Sequence, residues 1–201
     1  MRRGTPQAQG MQTQQNLDSL SGKLLIAMPG MGDPRFDRSV VYVCAHSDDG
    51  AMGLIVNKPA TDLDASDLLR QIGVEPTSDM RPITIHFGGP VEHGRGFVLH
   101  SADYAAPTST LKVDDRIGMT ATMDILEDIA NGGGPKDALL LLGYSGWGPG
   151  QLESELQENG WLTADASHDL VFGPDAGGKW NAALASLGID PLLLSASGGR
   201  A

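Results

Sequence analysis

The residues best suited to chemistry lie in one run, Gly143-Tyr144-Ser145-Gly146-Trp147-Gly148-Pro149-Gly150-Gln151-Leu152-Glu153. A serine among glycines behind the apolar run Ala138-Leu139-Leu140-Leu141-Leu142 is the setting of a nucleophile elbow, where G-x-S-x-G throws the hydroxyl out at a strand-to-helix turn. Trp147 stands where the last glycine belongs, and no Asp-then-His order follows downstream. A second chemistry is an anion cradle of backbone N–H groups at a helix N-terminus. Glu153 and Glu155 oppose it, and no lysine follows the glycines as in a P-loop. The third role is packing: the glycines admit close backbone approach, Trp147 fills the core, and Gln151 and Glu153 cap the helix. On these residues alone packing is favoured.

Other candidates are scattered. His86, His93 and His100 recur at intervals of seven. If Phe87 faces Phe97 across a hairpin, His86 and His100 share a face and can approach a metal, but no carboxylate is placed to complete the site, so no metal is assigned. Surface or half-buried histidines are the default. Glu92-His93-Gly94-Arg95-Gly96 sets an acid, a base and a cation on a polar tip, usually solvated but well placed for a ligand. Asn57-Lys58-Pro59 is a pocket edge or a strand end at which proline stops further pairing. Tyr144 and Trp147 can stack on a planar ring or fill the core. Cys44, the single cysteine, lies inside Val40-Val41-Tyr42-Val43-Cys44 and reads as a small buried hydrophobe.

Three loops place glycine or proline beside polar residues: Asn57-Lys58-Pro59, Gly88-Gly89-Pro90-Val91, and Gly143 to Gln151. They are expected to converge on one groove, with Trp147 as its floor and Lys58, Gln151 and Glu153 at its rim. The candidate ligand-binding set is Asn57, Lys58, Gly88, Gly89, Pro90, His93, Ser145, Trp147, Gln151 and Glu153. No residue is assigned as catalytic and no cofactor is called.

The elements that must position these residues follow from pattern. Leu24-Leu25-Ile26-Ala27 reads as a buried strand, and Pro29-Gly30-Met31-Gly32-Asp33-Pro34 as a long turn. Val40–Cys44 and Met52–Asn57 flank Ser47-Asp48-Asp49-Gly50, an antiparallel hairpin. Thr61 or Asp62 caps a helix through Leu68, Leu69 and Ile72, stopped by Gly73. Ile83–Phe87 and Gly96–His100 read as a second hairpin with a long tip. Leu111 to Met119 holds a strand. Thr120 or Thr122 caps a helix through Met123, Leu126 and Ile129. The central run reads as strand, glycine-rich turn and helix, with Pro149 at the first helical position. Leu170-Val171-Phe172 reads as a short strand. Trp180, Ala183, Leu184 and Leu187 mark a last amphipathic helix, and Asp190-Pro191-Leu192-Leu193-Leu194 is apolar enough to dock. Hairpins mixed with scattered helices give α+β.

The 201 residues suffice for one domain with a real core. Residues 1–17 read as a disordered tail, rich in Gln, Thr, Ser, Gly and Pro, ahead of a single domain over 18–201; Met11 is a second candidate start. A net charge of −11 opposes non-specific attraction to nucleic acid or an anionic membrane. No apolar stretch approaches a membrane span and no signal peptide is read, and a lone cysteine suits a reducing cytoplasm.

Taken in order, Leu20-Ser21-Gly22 through Ala27-Met28-Pro29, Gly53-Leu54-Ile55-Val56-Asn57-Lys58-Pro59, Gly88-Gly89-Pro90-Val91, the central run, Gly188-Ile189-Asp190-Pro191 and the Ser-Gly-Gly-Arg-Ala close resemble the YqgE/AlgH family of bacterial proteins. The resemblance spans about residue 18 to the end. It implies a bifurcated, mostly antiparallel sheet with a small closed barrel, surrounded by helices. It implies no reaction, cofactor or substrate; some members are linked to transcriptional control, and some carry alanine at the place of Ser145. The expectation is therefore a cytoplasmic, non-enzymatic binding or regulatory protein with an unidentified protein or small-molecule ligand, any influence on transcription being indirect. The competing expectation is a small-molecule enzyme, such as a hydrolase using Ser145.

Overall fold

The computed structural model describes residues 19–106 and 109–196. The tail over 1–17, the second start at Met11 and the last residues of the chain lie outside them. The described chain is α+β, with nine strands: β1 (Lys23–Ala27), β2 (Val40–Ser47), β3 (Gly50–Ile55), β4 (Thr84–Phe87), β5 (Val91–Ser101), β6 (Thr110–Lys112), β7 (Ile117–Thr120), β8 (Ala138–Trp147) and β9 (Trp161–Asp165). The helices are α1 (Ala65–Gln71), α2 (Met123–Ala130), α3 (Gln151–Gln157), α4 (His168–Phe172), α5 (Lys179–Ser186) and α6 (Pro191–Ala196).

β8, the strand with the longest apolar run, organises the sheet. Its first half pairs in parallel with β4, Leu139 to Leu142 opposite Thr84 to Phe87, and antiparallel with β5 on its other edge. Its second half exchanges β4 for β3, with Ser145, Gly146 and Trp147 opposite Gly53, Met52 and Ala51. The sheet bifurcates at this exchange. The strand order is β6-β7-β5-β8-β3-β2-β1-β9, with β4 beside β8. No pairing joins β6 to β9 among the described residues, so these strands form a curled open sheet where the resemblance implied a closed barrel.

The two-residue alternation of a strand divides the core. Leu139 and Leu141 point into one cluster with Leu24, Tyr42, Leu54, Phe97 and Trp180, covered by α4 and α5. Leu140 points the other way, to Ile85, Val98, Ile125 and Ile129, covered by α1 and α2. A third cluster, around Leu25, Val43, Ile55, Trp147 and Trp161, lies beneath α3.

Several sequence expectations need correcting. The first hairpin forms, with a bulge between Val43 and Ala45. The second does not: β8 lies between β4 and β5, because the most apolar strand buries more surface in the middle of the sheet than at its edge. Residues 92–95, expected as a hairpin tip, bulge out of β5 where its pairing jumps from Val91 to Gly96. Gly143 to Trp147 continues β8 and is not a turn; the chain turns only at Gly148-Pro149-Gly150, and Gly150, at φ 72°, is the N-cap of α3 in place of a helix beginning at Pro149. The single strand expected over 111–119 is the hairpin β6–β7. Leu170-Val171-Phe172 is helical, capped by the Ser167 hydroxyl, which accepts from Leu170 N at 3.2 Å; three apolar residues are too few to show a period. Trp161–Asp165, unassigned from sequence, is β9. α1 is capped by Asp64, whose carboxylate accepts from Asp67 N at 3.0 Å, and not by Thr61 or Asp62.

Candidate functional site

The exchange in β8 produces the first structural feature of the glycine motifs. Gly143 has φ 73°, and a Cβ there would stand 2.5 Å from the Gly89 carbonyl oxygen. A Cβ on Gly89 would stand 2.2 Å from the Tyr144 backbone. The two glycine runs are therefore packed backbone against backbone, which other residues cannot match. The contact is locked by Gly88 N donating to Leu142 O (2.8 Å) and Ile55 N donating to Gly88 O (2.9 Å). The Ser145 hydroxyl, fully buried, donates to the same Gly88 carbonyl at 3.2 Å.

Of the three loops expected to converge, two pack directly together, and the third, Asn57-Lys58-Pro59, runs beside β4 just before Gly88, with Phe87 N donating to Lys58 O at 2.9 Å and Pro59 bridged to His86, but away from Trp147. Gly88 and Gly89 meet Gly143 to Ser145, with Pro90 half-buried beside them. Asn57-Lys58-Pro59 lies past the C-terminal end of β3, whereas Trp147 pairs at its start. The six-residue step from Ala51 along β3 and past its end to Asn57 puts roughly 20 Å between them. Asn57 receives Val40 N on Oδ1 (2.9 Å) and donates through Nδ2 to Arg38 O (2.8 Å). Lys58 Nζ donates to Asp37 O at 2.9 Å. Gln151 Oε1 accepts from Gly148 N at 3.0 Å and closes the turn before α3. His93 is exposed on the β5 bulge.

At the Trp147 end an open cleft of about 780 Å³ lies between the tip of the β2–β3 hairpin and the bulged part of β5. Trp147, Tyr144 and Gly146 of β8 line it, with Val91, Arg95 and Phe97 from β5 and His46 and Met52 from the hairpin. Phe97 and Tyr144 meet edge to face, centroids 5.8 Å apart. The Arg95 guanidinium lies 5.1 Å over the Phe97 ring and 3.3 Å from Glu92, an exposed pair. Trp147 is 7% exposed and packs edge to face on Trp161, so it is core with one edge at the cleft.

Sequence reading passed over His46. Its Nδ1 accepts from Leu20 N at 3.0 Å, so the neutral ring carries its proton on Nε2, which donates to Glu153 Oε1 at 2.5 Å. That bond holds the Glu153 carboxyl below the ordinary carboxylate range. Both ring nitrogens are engaged, which leaves no lone pair for general-base work. The only signal in the sequence was a histidine at a hairpin tip.

Other titratable groups near the sheet are closed off from solvent. His86 and His100 are 3% and 0% exposed, neither at the surface nor half-buried as expected. His86 stands opposite Leu141 and His100 opposite Ala138, one residue out of phase, so they lie on opposite faces of the sheet and cannot share a metal. His100 Nδ1 donates to Ser101 O and its Nε2 accepts from Thr120, whose hydroxyl accepts in turn from Thr110. Burial, together with Lys179, pushes His86 down to about 4. Cys44 is buried and its thiol is pushed up to about 12. Lys179, also missed, is 3% exposed; its ammonium donates to Val56 O (3.0 Å) and Val171 O (2.6 Å), and burial lowers it to about 8. Its position four residues before Ala183, on the apolar face of α5, was the signal. No group of three or more His, Cys, Asp or Glu side chains poised for a metal, and no helix long and apolar enough to cross a membrane, occurs among the described residues.

Comparison with known proteins places this geometry in context. Residues 24–192 match the model of the AlgH-like family. A UPF0301 protein of Ruegeria pomeroyi is 64% identical over 183 residues, covering 90% of this chain and 99% of that one. A UPF0301 protein of Cereibacter sphaeroides is 58% identical over 182 residues, with 90% and 99% covered. The solution structure of the AlgH protein from Pseudomonas aeruginosa is similar at TM-score 0.75 and 38% identity, with both chains covered in full. A crystal structure from Corynebacterium diphtheriae, at TM-score 0.68 and 19% identity over 100% of this chain and 95% of that one, shares the fold.

Proposed function

The chain belongs to the AlgH-like family, and on that premise we propose that it is a non-catalytic binding protein of the cytoplasm that recognises a ligand in the Trp147 cleft. The observation that carries this reading is the state of the polar groups beside the cleft. Ser145 is buried with its hydroxyl directed at Gly88 O, and His46 has both nitrogens occupied. The cleft therefore offers surfaces for recognition without a nucleophile and base poised to react. Its size falls in the usual range for small-molecule sites. Its aromatic edges and the exposed Arg95 suit a planar, anion-bearing group. Of the candidate residues, Trp147 contributes directly, and Gly88, Gly89, Ser145, Gln151 and Glu153 hold the wall in place. Regulation of transcription would run through a bound partner, since the charge of −11 opposes direct attraction to DNA.

A thermal-shift panel of nucleotides, phosphates and metals tests the reading, because a specific binder raises apparent stability by mass action. The expected result is stabilisation by an anion-bearing planar compound, lost in Arg95→Ala and retained in Ser145→Ala. Turnover of any panel compound that disappears in Ser145→Ala would replace the binding reading with the hydrolase.

A further inference from the structure

We propose that the corner formed by Arg38, Trp180 and Asn181 binds a small organic anion, a carboxylate or phosphate ester carried on an apolar body, and that Asn57 and Lys58 are the residues that position it. This site is separate from the Trp147 cleft and does not rest on the reading given above.

The first observation is backbone strain. Arg38 has φ +52°, a conformation that costs an L-residue with a long side chain and that persists only where surroundings enforce it. The enforcement is visible. Asn57 Nδ2 donates to the Arg38 carbonyl (2.8 Å), Asn57 Oδ1 receives Val40 N (2.9 Å), and Lys58 Nζ donates to the Asp37 carbonyl (2.9 Å). The polar residues of Asn57-Lys58-Pro59 thus act on the chain on either side of Arg38 and hold an arginine in a conformation that glycine would adopt without strain.

The second observation is what the strained residue does. Its guanidinium lies 5.3 Å over the ring of Trp180, which is 6% exposed and fixed by Nε1 donating to Ala27 O at 2.9 Å. A cation held over an aromatic face by the ring's quadrupole uses none of its N–H donors in that contact. Among the described residues the Arg38 side chain makes no hydrogen bond and pairs with no carboxylate, in a chain of net charge −11. The third observation is space: a cavity of about 590 Å³ opens there, with Pro29, Trp180, Ala185 and Pro191 as apolar walls and Arg38 and Asn181 as donors. Asp37 also lines it, but is exposed and screened by water. A guanidinium, able to donate two parallel N–H bonds, beside an apolar wall matches an oxyanion attached to a hydrocarbon or aromatic body.

The chain's tryptophans, Trp147, Trp161 and Trp180, supply the readout. Benzoate and phenyl phosphate are titrated against labelled protein while the indole N–H resonances are followed, with benzyl alcohol and inorganic phosphate as arms that separate body from charge. The expected result is a saturable shift of the Trp180 signal with benzoate or phenyl phosphate in the millimolar range, and none with either control. Arg38→Gly, which removes the guanidinium and suits the positive φ, and Arg38→Ala should each weaken binding at least about tenfold, with Arg38→Lys between them and wild type. Asn57→Ala should weaken it severalfold while the Trp147 and Trp161 indole signals of the free protein stay in place, which a general structural defect would not permit. No Trp180 shift with either anion, an equal response to inorganic phosphate, or affinity unaltered in Arg38→Gly would each overturn the proposal. A Trp147 shift without a Trp180 shift would support the cleft reading and reject this one.

Discussion

The two ends of β3 are held by different physics. At its start, Ala51 pairs with Trp147, and the surroundings are apolar: Leu25, Val43, Leu152 and Trp161 belong to one cluster with Trp147. Past its other end, polar side chains hold backbone. Asn57 and Lys58 grip the Arg38 and Asp37 carbonyls, Lys179 grips those of Val56 and Val171, and His86 lies alongside with Nδ1 unpartnered among the described residues. One end is stabilised by area removed from water, the other by directional bonds to backbone carbonyls. The difference teaches that a polar residue beside glycine or proline need not face a ligand, since an irregular chain leaves carbonyls that must be satisfied.

The largest test of this contrast is Trp147→Ala. If the first end is apolar core, the change should cost about 3–5 kcal/mol in a denaturant titration. A cost below about 1 kcal/mol would place the ring at the surface and erase the contrast.

The next effect is the pH dependence assigned to the polar end. His86 is pushed from 6.5 to about 4, so the unfolded state holds the proton more tightly than the folded one between those values. Stability is present in full above 6.5 and falls as pH drops towards 4, by up to about 3 kcal/mol. Lys179 is pushed from 10.5 to about 8, so its contribution has the same sign at higher pH: stability rises from 8 towards 10.5. His86→Phe should flatten the acid limb and Lys179→Met the alkaline one, read as melting temperature against pH. Trp147→Phe should leave both limbs in place; a limb that moved with it would show the two ends to be one unit.

Smaller effects separate the residues within the polar end. Asn57→Ala removes two bonds from backbone groups and should cost about 1–2 kcal/mol. Lys58→Ala, at a half-buried position with a single carbonyl partner, should cost about 0.5 kcal/mol by the same unfolding measurement. The reverse order would make the lysine, not the asparagine, the brace of the Arg38 loop.

How far the site was legible varies by residue. Glu153 was placed rightly in the first turn of α3, but its partner His46 stands 107 residues away, on a strand whose nearness no local pattern records. The glycines of Gly88-Gly89 and Gly143 showed in the sequence as backbone freedom, while the fact that they need it for one another emerges only when the two runs are packed together. Lys179 was hidden by the rule that lysines are solvated, although its helical phase with Ala183 put it on the buried face.

What the sequence determined by itself was local. Residue periodicity and turn chemistry set the first hairpin, the stop of α1 at Gly73, the helices around Leu126 and Trp180, and the α+β class, because each depends on neighbours within a few positions. The tertiary structure alone decided that β8 inserts between β4 and β5, and with it that His86 and His100 lie on opposite faces, that Ser145 is buried, and that Lys58 is remote from Trp147. Strand order is chosen by which arrangement buries the most apolar surface while pairing every buried backbone group. That is a sum over the whole chain, not a property of any stretch of it.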